Sequence, residues 1–132
     1  MSSWSRVNVS GLPEIPAFAH ASVAGEHVYV AGMLGLRDDF GGLVDGGIAA
    51  ETIQAFRHVE RILQVCDASI ADIVKVSVYL PDLGEWDTMN RAYLDVLGPH
   101  TPARIAVGCA ALLFGARVEF DCVAYRPAAN SA

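Results

Sequence analysis

Lysine is almost missing from this 132-residue chain: Lys75 stands alone against eight arginines. Schiff-base chemistry therefore has one candidate, and Lys75 sits in an apparent strand, Ile73 to Leu80, where a solvent-facing charge is its expected role. Cysteine is scarce too. Cys66, Cys109 and Cys122 are odd in number, far apart and free of any CxxC pair, which fits a reduced cytoplasmic protein rather than a disulfide scaffold or zinc module. Charge is thin at 18%, and nine basic against fifteen acidic residues leave a net of -6 with no Lys/Arg cluster. Nucleic acid and anionic membrane are therefore poor partners. The longest unbroken apolar stretch, Val28 to Leu36, is far short of the roughly 20 residues needed to cross a bilayer as a helix. The opening residues, Met1 to Arg6, lack the apolar run of a secretory leader.

What is present in excess is apolar surface. The hydrophobic share is 53%; with glycine counted in and tyrosine out it is about 59%, against a usual 45–50%. Such a composition excludes disorder, and the length predicts one domain over residues 1–132, able to bury about two thirds of its unfolded surface. One core of that size does not absorb the whole excess. The remainder points to a soluble oligomer that hides apolar surface between subunits.

Along the chain, three strand-like segments come first: Val7 to Val9, Phe18 to Val23, and Val28 to Ala31 ending at Gly32. The glycine-rich stretch Gly41 to Gly47 lacks both the Walker Lys-Ser/Thr and the GxGxxG order, so a plain loop is expected rather than a phosphate cradle. From Ile48 the period becomes helical. Ala49, Ile53, Phe56, Val59, Leu63 and Cys66 recur at three- and four-residue steps, while Glu51, Arg57, Glu60 and Arg61 are expected to face away. Strand Ile73 to Leu80 stops at Pro81, Asp82 offers a cap for a second helix to about Leu97, and Gly98-Pro99 ends it. Strands Ala103 to Ala110 and Arg117 to Tyr125 close the chain. The order β-β-β-α-β-α-β-β predicts an α+β domain with two helices on one face of a mixed sheet.

Three positions break the local pattern. Asn90 shares a helical stripe with Trp86, Tyr93/Leu94 and Leu97, and a buried amide needs partners: either a loop backbone tied to the helix, or a substrate. Arg104 is flanked on its strand face by Ala106 and Gly108, which leaves a hollow around the guanidinium. Its rigid fork suits a carboxylate, with an interface ion pair as the other reading. In the last strand Val118, Phe120, Cys122 and Ala124 form an apolar face, and Arg117, Glu119 and Asp121 a polar one. Glu119 there either holds a water for attack on an electrophilic carbon or belongs to a solvated surface. His20 and His100 are isolated, and no spacing supports a triad or a metal site.

The segment Ala71-Asp72-Ile73-Val74-Lys75-Val76-Ser77-Val78-Tyr79-Leu80-Pro81-Asp82-Leu83, then Met89-Asn90, Thr101-Pro102-Ala103-Arg104 and Val118-Glu119-Phe120-Asp121, resembles the reactive intermediate deaminase (Rid, YjgF-like) family. The resemblance spans about Ile15 to Arg126. It implies a chorismate-mutase-like α+β fold, a homotrimer with pockets between subunits, and hydrolysis of 2-imino acids or their enamine tautomers to 2-oxo acids and ammonia without metal or cofactor. It also implies that Arg104 binds the substrate carboxylate, that Glu119 orients the attacking water, and that Asn90 is a retained site residue.

The chain departs from the family at three places: a family tyrosine falls on Phe18, a serine on Ala31 and a cysteine on Ala106. Each lost contact to a charge is worth roughly 1.5–3 kcal/mol. The expected pocket is wider and more apolar, suited to an imino acid with a bulky side chain, and His20, on the face of Phe18, is a candidate replacement donor. Two other readings keep the pocket and change its use: a tautomerase- or cyclase-type step on a carboxylated pathway intermediate, or a non-catalytic trimer that binds a small acid.

Overall fold

The computed structural model describes residues 3–127. Met1 and Ser2, the start of the stretch read for a leader, and residues 128–132 of the expected domain lie outside them. Six strands form one sheet: β1 (Trp4–Val7), β2 (Ala21–Ala24), β3 (His27–Leu34), β4 (Ile73–Leu80), β5 (Ala103–Gly108) and β6 (Glu119–Tyr125), in the order β1-β2-β3-β6-β4-β5. Only β4 and β5 run parallel, and β1 and β5 are the edges. Helices α1 (Gly47–Val65) and α2 (Trp86–Leu97) cover one face. This is the α+β arrangement expected from the order of periodicities.

The alternation in β4 places Val76, Val78 and Leu80 under the helices, and Phe120, Cys122 and Ala124 of β6 lie beside them; all six are at most 2% exposed. Lys75 is exposed, as expected of it. Phe56 of α1 packs on Phe120 with centroids 4.6 Å apart, and Tyr93 of α2 lies parallel to Phe120 at 6.2 Å. Burying a ring of this kind stabilises by roughly 1.5–3 kcal/mol, so this cluster fixes both helices onto the sheet. Helix α1 ends where Asp67 adopts a left-handed φ of 61°, with the Ala68 N–H donating to the Leu63 carbonyl and the Asp67 N–H to that of Gln64. That is a Schellman closure with aspartate in the usual glycine position.

Several boundaries differ from expectation. The first strand is Trp4–Val7 rather than Val7 to Val9, because an edge strand needs backbone pairing more than an apolar face. Val9 instead turns into the core at 5% exposure. Phe18 precedes β2, in a tight turn where its N–H donates to the Ile15 carbonyl. Strand β3 runs on to Leu34 with an irregularity between Val30 and Met33. Strand β5 stops at Gly108, and Cys109 lies just past its end, donating its N–H to Leu80. The last strand begins at Glu119 rather than Arg117. Asp82 caps not α2 itself but the 3₁₀ turn Leu83–Glu85 that leads into it, accepting from the Gly84 N–H at 2.8 Å.

Glu51 is the clearest correction on α1. Expected to face solvent, it is 3% exposed, and its Oε1 accepts the Arg117 N–H at 2.8 Å. Burial raises its carboxyl above the ordinary range, opposed by that hydrogen bond and by the Arg117 charge. The cause lies at Gly35, where a β-carbon would overlap the Glu51 Cα and carbonyl oxygen, so the helix backbone reaches the end of β3 only because no side chain intervenes. Gly35→Ala is expected to cost about 1–3 kcal/mol, read as a lower urea midpoint with an unchanged m-value.

Candidate functional site

The two groups expected to carry chemistry sit on opposite faces of the sheet. Arg104 stands opposite Val76 on β4, and Val76 is fully buried under the helices. Glu119 stands opposite Tyr79 on the uncovered face, beyond β4 from Arg104. Residues aligned across neighbouring strands share a face. One chain therefore holds them apart, in two separate cavities.

The cavity at Arg104 has a volume of about 320 Å³ and is lined by Asn90, Tyr93, Leu94, Thr101, Pro102 and Arg104. The Arg104 Nη1 donates to Asn90 Oδ1 at 2.7 Å, and the guanidinium carbon lies 4.8 Å from the Tyr93 ring centre and 5.1 Å from that of Trp86. Among the described residues no carboxylate pairs with this cation. The Asn90 Oδ1 thus orients the arginine rather than a loop backbone, and the residue lines the same cavity. With two aromatic rings against it and Nη1 committed to Asn90, the guanidinium keeps further N–H donors for an anion. The expected hollow beside it is therefore partly filled from α2.

Tyr93 was not singled out from the sequence, although its place on the stripe with Trp86 and Asn90 was legible. It is 4% exposed, and its buried hydroxyl lies by Arg104 with no acceptor for its own proton. Burial raises its pKa, with the Arg104 charge pulling the other way. A buried donor without a partner is costly, and one in a ligand-sized cavity invites an acceptor.

The cavity at Glu119 is larger, about 600 Å³, and its lining includes Phe18, Ala31, Phe40, Leu113 and Phe114. Among the described residues that line it, Glu119 is the only charged group. The carboxylate lies against the α-carbon of Gly32, where a β-carbon would collide with it. Burial raises the Glu119 pKa, and the nearby Asp121 charge adds to the rise. Asp121 itself accepts from the Tyr79 hydroxyl at 3.2 Å.

Of the three positions expected to share one apolar pocket, Phe18 and Ala31 line this cavity. Ala106 does not: it lies opposite Val78 on the helix-covered face, two residues from Arg104. His20 is not a replacement donor for the pocket. It is fully buried, its Nδ1 accepts from the Val9 N–H at 2.9 Å, and Nε2 donates to the Pro13 carbonyl at 2.8 Å. Both ring nitrogens are committed to pinning the loop between β1 and β2. His58, also buried, donates to the Leu36 carbonyl at 2.7 Å. Gly41 to Gly47 form a loop running into α1. Among the described residues no three His, Cys, Asp or Glu side chains gather as a metal site.

The sequence matches the family model described as endoribonuclease L-PSP over residues 10–126. It is 34% identical over 110 residues to the 2-iminobutanoate/2-iminopropanoate deaminase of Rattus norvegicus, covering 83% of this chain and 80% of that protein. A RutC family protein of Pyrococcus abyssi is 33% identical over 112 residues, with 85% and 88% covered. Among solved structures, RidA from an Antarctic Psychrobacter is 30% identical and superposes with a TM-score of 0.84 over 92% of this chain and 98% of that one. Sequence and fold agree: this chain belongs to the Rid (YjgF/RutC, endoribonuclease L-PSP) family.

Proposed function

We propose that this protein hydrolyses 2-imino acids and their enamine tautomers to 2-oxo acids and ammonia, at sites built between subunits of a homotrimer. The observation that carries the reading is the division of labour just described: an unpaired arginine at a sheet edge, and a carboxylate of raised pKa in an apolar cavity on the other face. A second copy of the chain is the simplest agent to close one against the other. Exposed apolar side chains on the uncovered face, Tyr29, Ile105, Val107 and Tyr125, are the surface such an assembly would hide. The deaminase name of relatives at 34% identity supports the reaction class.

In this mechanism Arg104 of one subunit takes the substrate carboxylate, with the Tyr93 hydroxyl as a further donor. The protonated imine carbon is the electrophile. Glu119 of the neighbouring subunit, ionised, accepts a proton from water as the oxygen attacks that carbon, giving a tetrahedral amino alcohol. The same carboxyl then returns the proton to the nitrogen and, as the C–N bond breaks, takes the proton of the new hydroxyl, so that the 2-oxo acid carbonyl forms and ammonia leaves, carrying that last proton away as ammonium. Water in and ammonia out balance the reaction.

The apolar lining at Phe18 and Ala31 favours one competing reading, a trimer that binds a small acid without turning it over. Generating 2-imino acids in situ with an amino-acid oxidase separates the two. Deamination predicts faster 2-oxo acid release and a smaller yield of the semicarbazone that traps the imine; no acceleration over buffer for any side chain would sink the enzymatic reading.

A further inference from the structure

We infer that the substrate of this site is a 2-imino acid with a large apolar side chain, of phenyl size, and that the Glu119 cavity is its specificity pocket. The inference rests on the deaminase reading, which places the carbon under attack beside Glu119; whatever that carbon bears then points into the adjoining cavity. Its volume of about 600 Å³ far exceeds a methyl or ethyl group. No cation lines it, so a side chain with a second carboxylate would meet Glu119 without compensation.

The walls are built from aromatic rings held in unusual backbone conformations. Phe40 and Phe114 adopt left-handed φ values of 58° and 63°, a region that β-carbons disfavour and that clusters at ligand sites. Phe40 is kept there by edge-on contact with the ring of His58 at 5.4 Å and that of His20 at 6.4 Å, the two histidines pinned to backbone carbonyls. It forms a rigid wall. Phe114 is the opposite case: its backbone is left-handed and the residue 59% exposed, which leaves its ring available to a ligand. With Phe18 it lines the cavity, and an aromatic substituent there would have edge and face contacts available.

The test is a side-chain series: imino acids produced by an amino-acid oxidase from phenylalanine, leucine, 2-aminobutyrate, alanine and glutamate, with 2-oxo acid release followed for each. The expected order of kcat/KM places the phenylalanine product first and leucine next, at least about 10²-fold above alanine, since one methylene in an apolar pocket is already worth 10-fold or more. Glutamate is expected last. Phe114→Ala, at a position exposed enough to leave folding intact, is expected to cut the phenylalanine-to-alanine ratio about tenfold. Equal or better turnover of the alanine and 2-aminobutyrate products would overturn this inference while leaving the deaminase reading standing. A ratio unmoved in Phe114→Ala, with a changed oligomer mass, would assign the cavity to a neighbouring subunit instead. Absence of acceleration for every side chain would overturn the deaminase reading and this inference with it.

Discussion

Glu119→Gln is expected to lower kcat for imine hydrolysis by about 10²–10⁴-fold, the usual worth of a positioned general base, while KM changes little. Glutamine keeps the shape and the contact with Gly32 but accepts no proton from water. The pH dependence follows from the direction of the Glu119 shift. Burial, then the Asp121 charge, raises its pKa in the folded chain. The base works only when ionised, so activity is lost as pH falls through that raised value, and the acid limb of kcat/KM lies above the ordinary carboxylate range. Stability runs the other way. A carboxyl whose folded pKa is raised contributes stability that is present below its unfolded pKa and is lost as pH rises through the folded one. At neutral pH, Glu119→Gln is therefore expected to be at least as stable as the parent, so lost activity with an undiminished Tm distinguishes a catalytic role from a structural one. The paired measurements are a pH-rate profile and thermal unfolding at pH 7.

Arg104→Ala has the second large effect. Two charge-assisted hydrogen bonds to a carboxylate, at roughly 1.5–3 kcal/mol each, correspond to about 10²–10⁴-fold in kcat/KM. Part of that falls on KM, because the carboxylate is present in ground state and transition state alike. Arg104→Lys is not expected to rescue. Lysine brings the charge but not the fork, and it does not reproduce the guanidinium's contacts with the Trp86 and Tyr93 rings. Saturation kinetics on a single imino acid, with binding of the unreactive carboxylate benzoate measured in parallel, checks both substitutions.

Much of this was legible in the residues themselves, and the reasons differ from element to element. Strand Ile73–Leu80 was expected with the bounds it has, because β-branched residues alternate there between a turn and Pro81. The apolar face of β6 was readable for the same reason. Helix α1 was recognisable from its period, but not the burial of Glu51, which depends on a glycine sixteen residues earlier letting two backbones meet. His20 looked like a pocket residue because parity along a presumed strand put it beside Phe18. The chain turns at that point instead, and a buried imidazole serves the loop. Parity within β5 and β6 was correct. Their pairing through β4 was not legible, since nothing local announces that β6 inserts between β3 and β4. That insertion decides that Arg104 and Glu119 look away from each other.

This separation underlies the proposal that a functional site takes Arg104 from one subunit and Glu119 from another. The direct measurement is to co-express the two disabled chains, Arg104→Ala and Glu119→Gln, under different affinity tags, purify oligomers containing both, and assay imine hydrolysis. In a three-membered ring of heterologous contacts each site draws its two groups from different chains, so a trimer containing both variants, in either proportion, carries one intact pair among its three sites. Activity in the mixed oligomer is expected far above either variant alone, at about a third of the parent value per site. Mixed oligomers no more active than the two separate variants would contradict it.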